Sequence, residues 1–155
     1  MRHFGPHRLT DGNLMEEVNS CQEESKTESE KPFLNFMRSF AEADAKSNLF
    51  PKSCSVCGRK YSSLTDFIRR THARGHCMED CRGTMGRVFT MIYRHCDCGN
   101  TLVLALSGDA FSFLDSFWEM LSKTAEESGR PLRDLVMDFV SQWELYLSVQ
   151  HDPQR

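Results

Sequence analysis

Two short cysteine pairs carry the clearest chemistry in the chain: Cys54-x2-Cys57 followed by Gly58, and Cys96-x-Cys98 followed by Gly99. Each pair brings two thiols close together on one tight turn. The glycine after each lets main-chain amides approach sulfur and stabilise its negative charge. A borderline-soft divalent cation such as Zn2+ takes four such thiolates in a tetrahedron, at about 2.3 Å per bond. The expected site is therefore Cys54, Cys57, Cys96 and Cys98 around one Zn2+. The plain alternative, four small buried cysteines, does not explain why both pairs are short-spaced and glycine-flanked.

Rival ligand sets use other residues. Cys54, Cys57, His72 and His76 approximate a finger with two cysteine and two histidine ligands, and Tyr61 stands at the expected aromatic position. The inner spacing is fourteen residues rather than about twelve. Two extra residues turn the histidines more than half a turn round a helix, and the finger leaves Cys96 and Cys98 unused. His72, His76, Cys77 and Cys81 form an alternative metal set of four ligand types within ten residues; a basic glycine-containing loop with surface histidines is the plainer reading. His95, beside Cys96, is a candidate substitute ligand, although a strand-end histidine usually has no such role.

Oxidation of Cys54/Cys57 or of Cys77/Cys81 with release of the metal defines a thiol/zinc redox sensor as a further alternative. A thioredoxin-type dithiol needs a βαβ setting that this sequence lacks. Neither a phosphate-cradling glycine loop, nor G-x-S-x-G, nor H-E-x-x-H is present, so the expectation is a protein that is not an enzyme.

Charge adds a second candidate surface. Net charge is -3, but residues 52–98 hold nine Lys/Arg against four Asp/Glu, while residues 99–155 hold four against nine. Arg59, Lys60, Arg69, Arg70 and Arg74, with Arg82, Arg87 and Arg94, make a basic island round the cysteines. They are the residues that would contact phosphate in a nucleic-acid-binding zinc protein. The preferred reading is a solvated face partly neutralised by its acidic flanks.

The elements that must position these residues follow from apolar spacing. Residues 1–31 are polar and charged and are expected to form a disordered tail, within which Met15 is an alternative start. Pro32 opens a short amphipathic helix within 32–50, carrying Phe33, Phe36, Met37, Phe40 and Ala41. Residues 51–107 are read as the four-cysteine module. In it Ser62 or Ser63 caps a helix bearing Leu64, Phe67 and Ile68; residues 73–86 are a loop with at most one helical turn; and 87–95 and 100–106 form a β-hairpin whose tip holds Cys96 and Cys98. Residues 108–150 are expected to form a helical hairpin packed on the module. Its first helix starts at an Asp109 cap and stops at Gly129, and Pro131 restarts the pattern through Leu132, Leu135, Val136, Phe139, Val140, Trp143 and Leu147. Trp118, Trp143, Phe111, Phe117 and Phe139 are assigned mainly to the core, with docking of a partner protein or self-association as a dimer through the same helices as the sharper idea.

The fold class is thus α+β: a small zinc-stabilised β-hairpin module with short helices and a C-terminal helical hairpin. Seven cysteines, an odd number, suit a reducing compartment better than a disulfide framework. With no signal peptide or membrane-length apolar run, a cytoplasmic protein without membrane association is expected. The runs around Cys54–Cys57 and Cys96–Cys98 resemble small zinc-ribbon or treble-clef-like modules of bacterial signalling and accessory proteins. That resemblance covers about 52–106 and implies a regulatory or protein-interaction role without catalysis, with the same four cysteines as metal ligands.

Overall fold

The computed structural model describes residues 31–85 and 89–150. The tail reading for residues 1–30, the alternative start at Met15, Cys21 and Arg87 lie outside those residues. The architecture is α+β, with helices arranged around two small antiparallel sheets.

Helix α1 (Lys31–Lys46) has Pro32 in its first turn, where a missing amide hydrogen costs nothing. It buries Phe33, Met37, Phe40 and Ala43; Ala41, assigned to this face from spacing, is exposed. Strands β1 (Lys52–Ser53) and β2 (Lys60–Tyr61) form a two-residue ladder that flanks Cys54 and Cys57. Helix α2 (Leu64–Arg69) is capped by Ser63, whose Oγ accepts the Asp66 amide at 3.0 Å. Asp66 reciprocates by accepting the Ser62 amide at 2.9 Å, and Asp44 of α1 accepts the Leu64 amide at 2.8 Å. Burial raises the Asp44 carboxyl above its ordinary value, and that Leu64 hydrogen bond opposes the rise. One helix thus caps the start of the next.

The second sheet has three strands in the order β3 (Met78–Asp80), β4 (Phe89–His95), β5 (Thr101–Ser107). The β4–β5 hairpin runs in register from Phe89↔Ser107 to His95↔Thr101, which places residues 96–100 at its tip. The 73–86 stretch corrects the loop expected there: it contains β3 and a one-turn helix α3 (Arg82–Met85). Met78-Glu79-Asp80 has no strand pattern of its own; it is extended because β4 offers it a free edge.

A 3-10 turn at Asp109–Phe111, introduced by Gly108 at φ 86°, precedes α4 (Leu114–Ser128). Asp109 therefore does not cap α4, which begins five residues later. Gly129, at φ 66°, ends α4 as expected, and α5 (Leu132–Gln150) follows.

The five aromatic residues considered for partner docking are interior. Phe111, Phe117, Trp118, Phe139 and Trp143 are all buried. Much of their company is α1 rather than the β-hairpin. Phe40 stacks on Phe113, Phe117, Phe139 and Trp143 at centroid distances of 4.9, 5.6, 5.8 and 4.7 Å. Trp118 is the tie to the sheet: its indole N–H donates to Thr90 Oγ1 at 2.8 Å, with both groups buried. On the C-terminal helices the large apolar side chains left outside are Leu132, Leu145 and Val149.

Candidate metal centre

The first cysteine pair lies in a turn clamped by its own main chain. The Cys54 amide donates to Arg59 O at 2.8 Å and the Gly58 amide to Cys54 O at 2.9 Å. The second turn repeats this pattern: Cys96 N to Asn100 O at 2.9 Å, and Gly99 N to Cys96 O at 2.8 Å. Gly58 and Gly99 both have positive φ, 72° and 88°, which side-chain-bearing residues rarely adopt. Two sequences of different length therefore make equivalent knuckles.

The knuckles face each other. Cys54 Sγ lies 3.6 Å from Cys98 Sγ, Cys57 Sγ lies 3.6 Å from Cys96 Sγ, and all four sulfurs fall within 4.8 Å of one another. A tetrahedron with metal–sulfur bonds of about 2.3 Å has sulfurs about 3.8 Å apart. The set therefore has the size of a four-thiolate metal site and could hold a metal ion. Disulfides would require far shorter contacts, and the six described cysteines are free. Cys54 and Cys96 are buried, 1% and 2% exposed, while Cys57 and Cys98 are exposed.

The surroundings favour negative sulfur at the buried pair. The Cys57 amide and then the Asn100 side chain, 3.5 Å away, lower the Cys54 thiol from 9.0 to about 6. The Tyr61 hydroxyl, donating at 3.2 Å, and the Cys98 amide lower Cys96. Burial, reinforced by its bond to Cys96, raises Tyr61 so that it stays a donor. The Asn100 amide also favours a Cys98 thiolate, but burial and bonds to the neighbouring sulfurs outweigh it and push that thiol up to about 12. Four negative sulfurs repel one another unless a cation sits among them, so a divalent ion supplies what this constellation lacks.

An outer clasp joins the two turns. Asp97, between Cys96 and Cys98, pairs with Arg59, the residue after Gly58. It also meets His72 Nε2 at 2.6 Å. Arg59 and then His72 hold the Asp97 carboxyl below the usual range. Sequence reasoning missed this clasp, although an acid inside one knuckle and a base just after the other was a readable signal.

The alternative ligands do not assemble. Among the described residues, the four cysteines are the one His/Cys/Asp/Glu group placed to share an ion. His72 is held by Asp97 and, through its main chain, by a bridge to His95. His76 lies near Glu79 at 3.6 Å. Cys77 is buried against Met137 Sδ at 3.5 Å, while Cys81 is only partly covered. These two cysteines flank β3 and both continue its ladder, bonding Tyr93 and Phe89. Four extended residues span about 13 Å, so they neither share a metal nor form a disulfide without rearrangement. The histidines of the finger arrangement likewise lie outside the cluster, and His95 turns its Nδ1 towards Thr101.

The basic island is largely answered from within. Arg70 pairs with Asp66 at 3.2 Å and lies over the Tyr61 ring; Arg82 pairs with Asp80 and Asp115, both at 2.9 Å. Arg94 is no surface cation: it is 1% exposed, donating to Ile68 O and Thr71 O at 2.7 Å and to Thr71 Oγ1 at 3.0 Å. Its Nη1 lies 2.6 Å from Glu144 Oε1, off the direction of a proper hydrogen bond, so the contact is ionic rather than directional. Of the residues proposed for phosphate contact, Lys60, Arg69 and Arg74 form no ion pair among the described residues.

No helix among the described residues is long and apolar enough to cross a membrane. No protein-family model, no curated protein and no solved structure matches the chain, so the resemblance to small cysteine-knuckle modules rests on the motifs alone.

Proposed function

We propose that Cys54, Cys57, Cys96 and Cys98 hold one Zn2+ ion, and that the protein is a non-enzymatic regulatory or protein-interaction module of the cytoplasm. The observation that carries the reading is the convergence of four sulfurs, all within 4.8 Å, from two glycine-ended turns far apart in sequence. An all-thiolate tetrahedron suits zinc or iron among the common ions, and zinc brings no redox chemistry of its own. The ion fastens the hairpin tip to the 52–61 turn. Structural zinc sites contribute about 10 to 16 kcal/mol, comparable with the whole stability of a small domain, about 5 to 15.

Native mass spectrometry of the reduced, zinc-supplied protein tests this directly. One zinc per chain, a colourless solution and loss of that zinc in Cys96→Ala are expected. Iron in the purified protein, or full zinc content and unchanged thermal stability in Cys96→Ala, overturns the assignment.

A further inference from the structure

Strand β3 has a partner on one side only. Its hydrogen bonds to β4 are carried by the odd positions: Tyr93 N donates to Cys77 O and Cys81 N to Phe89 O. In an antiparallel ladder bonded and non-bonded pairs alternate. Met78 and Asp80, opposite Ile92 and Thr90, therefore turn their main-chain N–H and C=O groups outward. Among the described residues nothing bonds to those groups.

Beside this edge runs a groove of about 260 Å³ whose walls are Cys77 and Met78 on one side and Trp118, Leu132, Val136 and Met137 on the other. Two sulfurs in contact, Cys77 Sγ and Met137 Sδ, form part of its floor, a soft surface that adapts to different apolar shapes. Leu132, which helical spacing assigns to the core, is instead 36% exposed at the lip. Charges round the rim are unequally answered. On the strand side Glu79 accepts from Tyr93 at 2.9 Å and Asp80 is held by Arg82 at 2.9 Å. On the helix side Arg133 is 79% exposed, with only Asp134 nearby at 3.7 Å.

We propose that this edge and groove take an extended peptide segment of a partner protein. The segment adds to the sheet as a fourth strand, lowers one large aliphatic or aromatic side chain among Trp118, Val136 and Met137, and sets an acidic residue against Arg133. Open main-chain donors and acceptors select an extended segment, because a helix satisfies its own. A second copy fits badly: antiparallel pairing of β3 with β3 about Glu79 sets like charges directly opposite each other, which destabilises a ladder. The proposal is independent of which ion the cysteines hold.

The test is selection from a random seven-residue display library on the full chain, followed by titration of the enriched synthetic peptides. Enriched sequences should combine a bulky apolar residue with Asp or Glu. Leu132→Glu, a surface change, should weaken binding by about tenfold or more, and Arg133→Glu should shift selection towards Lys and Arg. N-methylation of peptide amides should abolish binding at alternate positions only, namely those facing Met78 and Asp80. Failure to enrich any sequence, binding indifferent to Leu132→Glu, equal tolerance of N-methylation at adjacent positions, or a dimer of the free protein that Leu132→Glu dissolves would each overturn it.

Discussion

The helical body and the knuckles are held together by different physics. In the body, α1, α4 and α5 interlock through edge-on and tilted ring pairs such as Phe40–Trp143 at 4.7 Å and Phe117–Phe139 at 4.8 Å. Apolar burial of that kind is distributed, so each ring supports several others. In the knuckles, residues 52–61 and 95–100 bury few large apolar side chains; Val56, at the apex of the first turn, is 69% exposed. Order there comes from main-chain turns, Tyr61 and four sulfurs. The lesson is that the same chain carries one region stable by its own bulk and one whose shape depends on a bound charge.

The largest effect is expected from withdrawing that charge. A strong chelator added to the reduced protein should strip hydrogen-exchange protection from the amides of Cys54, Gly58, Cys96 and Gly99, while the buried turns of α4 and α5 stay protected. Uniform loss, or none, would erase the contrast between the regions. Next comes the body's own centre. Phe40→Ala should cost about 3 to 5 kcal/mol in denaturant unfolding, as large-to-small changes of buried aromatics do, yet leave metal affinity of the folded protein unchanged. A smaller loss, about 1 to 3 kcal/mol, is expected for Trp118→Phe, which leaves Thr90 Oγ1 buried without its donor.

Acid sharpens the contrast from the other side. Cys54, depressed from 9.0 to about 6, favours the folded knuckle fully above its ordinary value and loses that contribution as pH falls through about 6. Protons compete with the metal in the same direction. Metal retention, followed with a chromophoric indicator, should therefore decline on acidification and drop most steeply below about pH 6, while α-helical circular dichroism changes little. The smallest effect belongs to Asp97→Asn. The clasp to Arg59 and His72 is exposed, so the metal should leave somewhat faster at low salt and at the parent rate at high salt.

Much of this was readable from residue order, for reasons that also mark where reading stops. The four cysteines stood out because short spacing and a following glycine are local properties. The helices were legible because α1, α2 and α5 repeat apolar residues at a period of about 3.6. Strand β3 was not, since Met78-Glu79-Asp80 owes its conformation to a neighbour eleven or more residues away. Nor was the fate of Arg94, whose charge suggests solvent but whose four neighbours inside the fold, Ile68, Thr71, Glu144 and the β4 ladder, hold it inside. The placement of α1 among the aromatics of α4 and α5 is likewise tertiary. Periodicity shows that a face is buried but not against what.

The pairing of one covered and one open sulfur in each knuckle has a kinetic corollary. An ion held there is screened on the side of Cys54 and Cys96, so an incoming ligand such as a small thiol can approach only past Cys57 and Cys98. Exchange would then proceed by stepwise substitution from a single direction, with the inner sulfurs still attached when the outer ones have let go. Such a centre combines firm anchorage with a defined exit, which suits transfer of the ion to another acceptor better than simple dissociation into water.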